Sequence, residues 1–194
     1  MASGKKFEIQ ALGRPTWPAF VRVMEKHNGV WNGCWCVAFH VARREEPATA
    51  EARRALKEQL VRSNRSHAAL VFDGDDIAGW CQFGPPSELP ARMGSVARLG
   101  LPAPEWRITC FFVDRDHRKQ GVADAALGGA LRMIATAGGG TVDGYPITTG
   151  DKPYSSSFLW SGTESMFSKA GFRRLASLGS SKLVMRKRVA ARRT

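Results

Sequence analysis

The segment Arg118-Lys119-Gln120-Gly121-Val122-Ala123 stands between an apolar run, WRITCFFVD at 106–114, and a stretch of helical periodicity. Residues of these types in this order can hold an anion. Glycine lets a bulky anion approach the backbone closely. The first amides of a helix have no intrahelical partners, and the helix dipole favours negative charge there. The combination is a phosphate cradle. Arg115, His117, Arg118 and Lys119 add positive charge around it. The segment is neither a Walker loop, which needs Gly-Lys-Ser/Thr, nor the three-glycine dinucleotide fingerprint. An ordinary helix start with incidental basic residues has the same composition.

Spacing predicts the elements around it. Residues 5–11 alternate as a short strand. Thr16 can cap a helix carrying Pro18 in its first turn and Phe20, Val23, Met24 and His27 on one face. Residues 33–41 (GCWCVAFHV) suit an extra strand or a buried apolar loop. A second helix is expected near 48–63, with Ala52, Leu56 and Leu60 as its apolar stripe. Residues 67–72 and 77–83 flank Asp73-Gly74 and predict a hairpin. The connection 84–104 holds five of the ten prolines, and its length suits a lid or binding loop. The strand 106–114 leads into a helix over 120–137, where Gly128 and Gly129 imply close packing on a sheet. A strand at 141–147, a short helix TESMFSKAGF and a terminal hairpin around Gly179 complete the chain. This order predicts an α/β (α+β) fold, a mixed sheet with helices on both faces.

The chain has 194 residues, enough for one domain, with 43% apolar and 24% charged residues. Disorder, coiled coil and collagen are excluded by composition. No apolar run is long enough for a transmembrane helix and the N-terminus lacks a signal peptide, so a cytoplasmic location is expected, with no membrane partner. Cys34, Cys36, Cys81 and Cys110 read as reduced thiols. Their spacing is not that of a paired zinc site, so no metal is expected. The net charge is +12, and half of it comes from Lys182, Arg186, Lys187, Arg188, Arg192 and Arg193. That cluster reads as a solvated tail, with residues 1–187 as a single domain and 188–194 as a basic, disordered extension. No nucleic-acid module accompanies it.

Arg118-x-x-Gly121-x-Ala123 after the strand Cys110-Phe111-Phe112-Val113 resembles the acetyl-CoA motif of the GCN5-related N-acetyltransferases (GNAT). Met166-Phe167-Ser168-Lys169-Ala170-Gly171-Phe172 resembles the helix end of the same family, and the order of elements fits from residue 5 to about 187. Together with GCWC, GWCQFG, ITCFFV and GYP, these motifs are similar to those of a bacterial subgroup of that family, which leaves the acceptor open. The resemblance implies a GNAT fold, its mixed sheet splayed into a V-shaped cleft between 111–113 and 141–147. It implies acetyl-CoA as co-substrate. The amides of Gln120, Gly121, Val122 and Ala123 would take the pyrophosphate, with Arg118 and Lys119 at the rim. The strand edge at Phe111, Phe112 and Val113 would take the pantetheine arm. An acceptor amine would attack the thioester directly, without a covalent enzyme intermediate.

Two positions depart from the family pattern. The aromatic that often protonates the leaving thiolate is Phe167, which has no hydroxyl. Ser165, Tyr154 and Tyr145 are the substitutes. The family's frequent glutamate base aligns with Arg107, which makes Glu105, two residues earlier on the same strand face, the candidate base; a water relay is the alternative. Trp31, Trp35 and Trp160 would border the acceptor; they also suit a core. The expected function is N-acetyl transfer from acetyl-CoA to an amine. The competing readings are an acyl-CoA-binding regulatory module without catalysis and, on the basic tail alone, a nucleic-acid binder. A homodimer is compatible with the sequence.

Overall fold

A computed structural model of the chain describes residues 7–148 and 160–192. It holds β1 (Glu8–Ala11), α1 (Trp17–Lys26), α2 (Ala50–Arg62), β2 (His67–Asp73), β3 (Asp76–Gly84), α3 (Gly94–Ala97), β4 (Trp106–Val113), α4 (Val122–Thr136), β5 (Gly140–Gly144), α5 (Glu164–Lys169), β6 (Arg173–Leu178) and β7 (Lys182–Val189). The seven strands form one sheet in the order β1-β2-β3-β4-β5-β7-β6. Only β4 and β5 run parallel; the other neighbours are antiparallel. This is the mixed sheet with helices on both faces expected from the order of elements.

Side-chain alternation divides the core. Phe20, Met24, Val61, Trp80 and Cys110 pack on the α1/α2 face. Phe111, Val122, Leu127, Ile134 and Phe167 pack on the α4/α5 face. Gly129 lets α4 lie against the sheet: a Cβ there would sit 2.6 Å from Ile9 and 3.1 Å from Ala69. Gly128 points elsewhere, with only Arg132 nearby, so close packing explains one of the two glycines.

Several local expectations change. Thr16 stands at the start of α1, yet its hydroxyl donates to the Ala11 carbonyl and accepts from the Gly13 amide instead of capping the helix. Residues 33–41 take the second of their two expected forms, a loop of turns in which Trp35, Cys36, Val37, Ala38 and Phe39 are buried. On α2 the fully buried residue is Lys57, not Ala52. The connection 84–104 contains α3 and is tied down: Ala91 N–H bonds the Phe39 carbonyl, and Arg107 and Arg186 bond the carbonyls of Leu89 and Pro102. His27 pairs with Asp114 and His67 with Glu88.

The basic cluster near the C-terminus is mostly strand. β7 runs through Val189, past the boundary expected at 187, and the Arg192 amide bonds the Ala135 carbonyl. Arg186 grips Asp143 of β5 with two bonds, 2.6 and 2.9 Å. Lys187 donates to the Ala170 carbonyl at the end of α5. Arg186 and Lys187 are thus consumed inside the fold.

Candidate active site

The sheet opens where β5 leaves β4. The pair runs from Trp106↔Val142 to Ile108↔Gly144 and stops. Phe167 holds the strands apart. It is fully buried, meets Phe111 of β4 edge-on at 6.0 Å, and lies so close over Gly144 that a Cβ there would come within 2.0 Å of its ring. Phe167 is thus a wedge. A hydroxyl added by Phe167→Tyr would be buried, at a cost of about 1–3 kcal/mol if left unpaired. The expected result is a lower urea midpoint; an unchanged or higher midpoint would show that the ring edge reaches solvent or a hydrogen-bond partner.

Beyond Ile108 the edge of β4 has no strand neighbour among the described residues. The Asp114 amide donates to the Ala78 carbonyl of β3, 2.8 Å. By alternation, Phe112 and Cys110 turn their backbone groups to β3, while Phe111 and Val113 turn theirs to the open side. A β-bulge precedes this stretch. Gln82 faces Cys110 and Phe83 faces Ile108, so Thr109 is the extra residue.

The strand then enters a fixed turn. Asp114, buried, accepts from the Asp116 amide (3.0 Å), Lys26 Nζ (2.7 Å) and His27 Nε2 (3.2 Å). His117 Nε2 lies 3.1 Å from Asp73 Oδ2 on the β2–β3 hairpin. The Asp114 carboxyl is pulled in opposite directions: burial raises its pKa, but the Lys26, Asp116 and His27 hydrogen bonds outweigh this and hold it well below its ordinary 3.8. Its contribution to stability is therefore full above pH 3.8 and lost as pH falls below it. Asp114→Asn should unfold at lower urea than wild type at pH 7, and the gap should narrow below pH 3.8. A gap independent of pH would contradict this.

Gly121 starts α4 at φ +80°, a left-handed conformation in which L side chains are strained, and a Cβ there would meet nothing within 4 Å. No side chain caps the helix. Its first intrahelical bond is Ala125 N–H to the Gly121 carbonyl, which leaves the amides of Val122, Ala123 and Asp124 without helical partners. A cavity of about 530 Å³ connects this helix end to the open edge of β4. Phe111, Phe112, Val113, Arg118, Lys119, Gly121, Val122 and Ala123 all line it. Gln120 does not; its side chain turns back to the Asp116 carbonyl. Ser165 lines the same cavity, 3.1 Å from the Thr163 hydroxyl.

Two further cavities lie on the α1–α2 loop side. One, about 650 Å³, is bordered by Trp31, Cys34, Cys36, Phe39 and Cys110; the other, about 630 Å³, by Phe39, Arg92, Thr109, Tyr145 and Lys182. Trp160 borders all three cavities and Trp31 borders two. Trp35 borders none. It is buried against Trp17, with Arg54 over its ring, and belongs to the core.

The structure does not bring Glu105 to the cleft. It precedes β4, six residues and about 20 Å of strand away from Phe111. Its carboxylate accepts from the Thr141 amide (2.8 Å) and lies 3.5 Å from Arg188. Those contacts, the Thr141 bond first, keep its pKa low, which ill suits a base. Arg107, at the family's glutamate position, donates to the Leu89 carbonyl. Tyr145 is buried, which pushes its phenol up to about 12. Tyr154 lies outside the described residues.

Sequence reading missed Lys57. It is fully buried; Nζ contacts Ser66 Oγ (2.7 Å), Gln82 Oε1 (3.4 Å) and the Cys36 carbonyl (3.5 Å), and no carboxylate. Ser66 Oγ is 3.2 Å from His40 Nε2, and His40 Nδ1 is 2.9 Å from the Glu88 carbonyl. Burial and the nearby Lys57 charge lower His40 to about 3, so it is neutral and donates through Nδ1. The Cys36 thiol hydrogen-bonds to Cys110; this bond and the Lys57 charge outweigh burial and hold Cys36 below the usual thiol range, while Cys110 is pushed up. Iodoacetamide at pH 7 should therefore alkylate Cys36 several-fold faster than Cys81 or Cys110, and Lys57→Met should slow it, as read by peptide mass. Equal labelling of the buried thiols would contradict the lowered Cys36 pKa. All four cysteines are free, and no described cluster of ligating side chains could hold a metal.

In the solved structures, the fold matches a GNAT-family acetyltransferase from Desulfovibrio desulfuricans, with TM-score 0.55 and 18% identity over 95% of this chain and 100% of that one. It matches equally a Corynebacterium glutamicum structure named histone acetyltransferase HPA2 and related acetyltransferase (TM-score 0.55, 18% identity, 98% and 100% covered). A third is an N-acetyltransferase from Staphylococcus aureus (TM-score 0.51, 12% identity, 96% and 99% covered). At these identities the likeness establishes the fold. No curated protein matches significantly. The sequence model of the acetyltransferase (GNAT) family matches residues 31–142, more than half of the chain, including β4, the turn and α4. With the splayed sheet and the uncapped helix end, this makes the chain a member of the GNAT acetyltransferase family.

Proposed function

We propose that the protein transfers an acetyl group from acetyl-CoA to an amine. One observation carries the reading: a single cavity joins the unpaired edge of β4 to the uncapped start of α4. The amides from Gln120 to Ala123 bind the pyrophosphate, and Arg118 and Lys119 add charge at the rim. The backbone groups of Phe111 and Val113 pair with the pantetheine arm as a strand would. This places the thioester beside β4, where a backbone amide polarises its carbonyl. The amine arrives past Trp31 and Trp160, which border both the cofactor cavity and the acceptor side. It attacks directly, and positioning supplies most of the catalysis.

Proton handling is carried by weaker groups. Ser165, on the cofactor cavity, and Tyr154 remain the proposed donors to the leaving thiolate. Glu105 stands away from the cleft, and water takes the role of base. A thiolate leaves well without strong acid assistance. No described helix is long and apolar enough to cross a membrane, and we place the reaction in the cytoplasm.

The second reading, an acyl-CoA-binding module without catalysis, draws on Phe167 as a buried wedge and Glu105 outside the cleft. Free-thiol release from acetyl-CoA, measured with and without an amine panel, separates them. Amine-dependent release with an acetylated product by mass supports the transferase. Tight binding without release over the whole panel supports the module.

A further inference from the structure

We infer that the acceptor carries an anionic group, a carboxylate or phosphate, which binds between Arg92, Arg98 and Lys182 on the side of β4 away from the phosphate cradle. This inference rests on the transferase reading. The two acceptor-side cavities are lined by five cationic side chains, Arg43, Arg53, Arg92, Arg98 and Lys182, and by one carboxylate, Glu46. Glu46 is already engaged, 3.6 Å from Arg53 Nε and 3.2 Å from Arg92 Nη2. The cavity of about 630 Å³ has no carboxylate in its lining.

Three features of that cavity point to an incoming anion. Lys182 is half-buried, its Nζ 4.4 Å from the centre of the Trp160 ring, and it makes no ion pair among the described residues. Removing a charge from water without a partner is unfavourable unless a ligand restores one. Arg92 adopts φ +61°, a conformation that long side chains rarely adopt. Its guanidinium is held at the junction of the two cavities by the Ala38 carbonyl (3.0 Å) and Glu46. Such strain persists where the surroundings over-determine it, commonly at ligand sites.

The third feature is a pair of orphaned hydroxyls. Thr109 and Tyr145 line this cavity, and their hydroxyls, buried just beneath its surface, make no hydrogen bond of normal geometry among the described residues, although the Arg107 guanidinium lies beside the Tyr145 phenol. Buried hydroxyls are rarely left so, and both can donate to an anion's oxygens. Thr109 is also the bulged residue beside the point where β5 leaves β4. An anion held there sets the amine at the mouth of the splay. Phe39 and Trp160, 5.8 Å apart, form the apolar wall. A polycationic acceptor would meet five like charges.

The test uses the full chain, first confirmed to bind acetyl-CoA by calorimetry. Rates of thiol release are then compared within matched pairs: phenylalanine against phenylalaninamide for a carboxylate, phosphoethanolamine against ethanolamine for a phosphate, with spermidine as the polycation. The anionic member of at least one pair should have the higher kcat/KM, and which pair responds identifies the anion. Arg98→Gln and Lys182→Gln should each lower that kcat/KM about tenfold, the scale of one lost charge-assisted contact, with a smaller effect on the neutral member and no change in acetyl-CoA affinity. Added salt should weaken the preference. A preference for neutral members or spermidine overturns the inference and leaves the transferase standing. Failure of every probe, in protein that binds acetyl-CoA, also counts against it. Failure to bind acetyl-CoA removes the transferase reading itself, and this inference with it.

Discussion

Gly121→Glu should weaken acetyl-CoA binding by at least about 100-fold, close to 3 kcal/mol, while the protein stays folded. The carboxylate would stand among the free amides of α4 and repel the phosphates they are proposed to hold. Folding survives because a Cβ at 121 meets nothing within 4 Å. The left-handed φ of +80° still costs roughly 1–2 kcal/mol for a residue with a Cβ. Gly121→Asn separates the two effects, since asparagine tolerates that conformation and carries no charge. It should retain most of the affinity. Calorimetric titration of both variants, with circular dichroism to confirm the fold, reads the difference. Equal affinity in wild type and Gly121→Glu would place the phosphates elsewhere.

Arg186→Ala should be the most destabilising single change considered, by about 3–5 kcal/mol in urea unfolding. Asp143 is 1% exposed, and its carboxylate takes both of its charged hydrogen bonds from Arg186. Removing the arginine leaves a buried charge without a partner. It also frees the Pro102 carbonyl, which Arg186 holds at 2.6 Å, and with it the connection 84–104 beside the acceptor cavities. The double variant Arg186→Met with Asp143→Leu should recover much of the loss, because apolar groups of similar volume can replace a buried pair. A loss below about 1 kcal/mol for Arg186→Ala would mean that the pair is effectively solvated.

The same arginine shows where sequence reading stops. Counted as charge, 182–193 looks like a solvated tail; as structure, it is mainly the strand beside β5. Asp143 lies 43 residues from Arg186, and only strand pairing brings them together. The anion cradle was readable because it is local: a strand, a glycine and a helix start within a dozen residues. The fold order was readable for the same reason. Thr109 as a bulge was not, since register depends on two strands. Glu105 looked suitable because alternation puts it on the face of Arg107, but its place before β4 keeps it from the splay. Trp35 and Trp31 are alike in sequence, and only packing separates a core residue from a cavity wall. Lys57 sits in a helix with charged residues on both sides, and nothing local marks it as buried.

The most direct measurement is calorimetric titration of acetyl-CoA into the wild-type protein. One site per chain with micromolar affinity is the predicted result, and it would establish the β4 edge and the α4 cradle as a working cofactor site. No heat and no binding by a folded sample would contradict the account: the family fold would then be present without its co-substrate, and the acetyltransferase reading would fall.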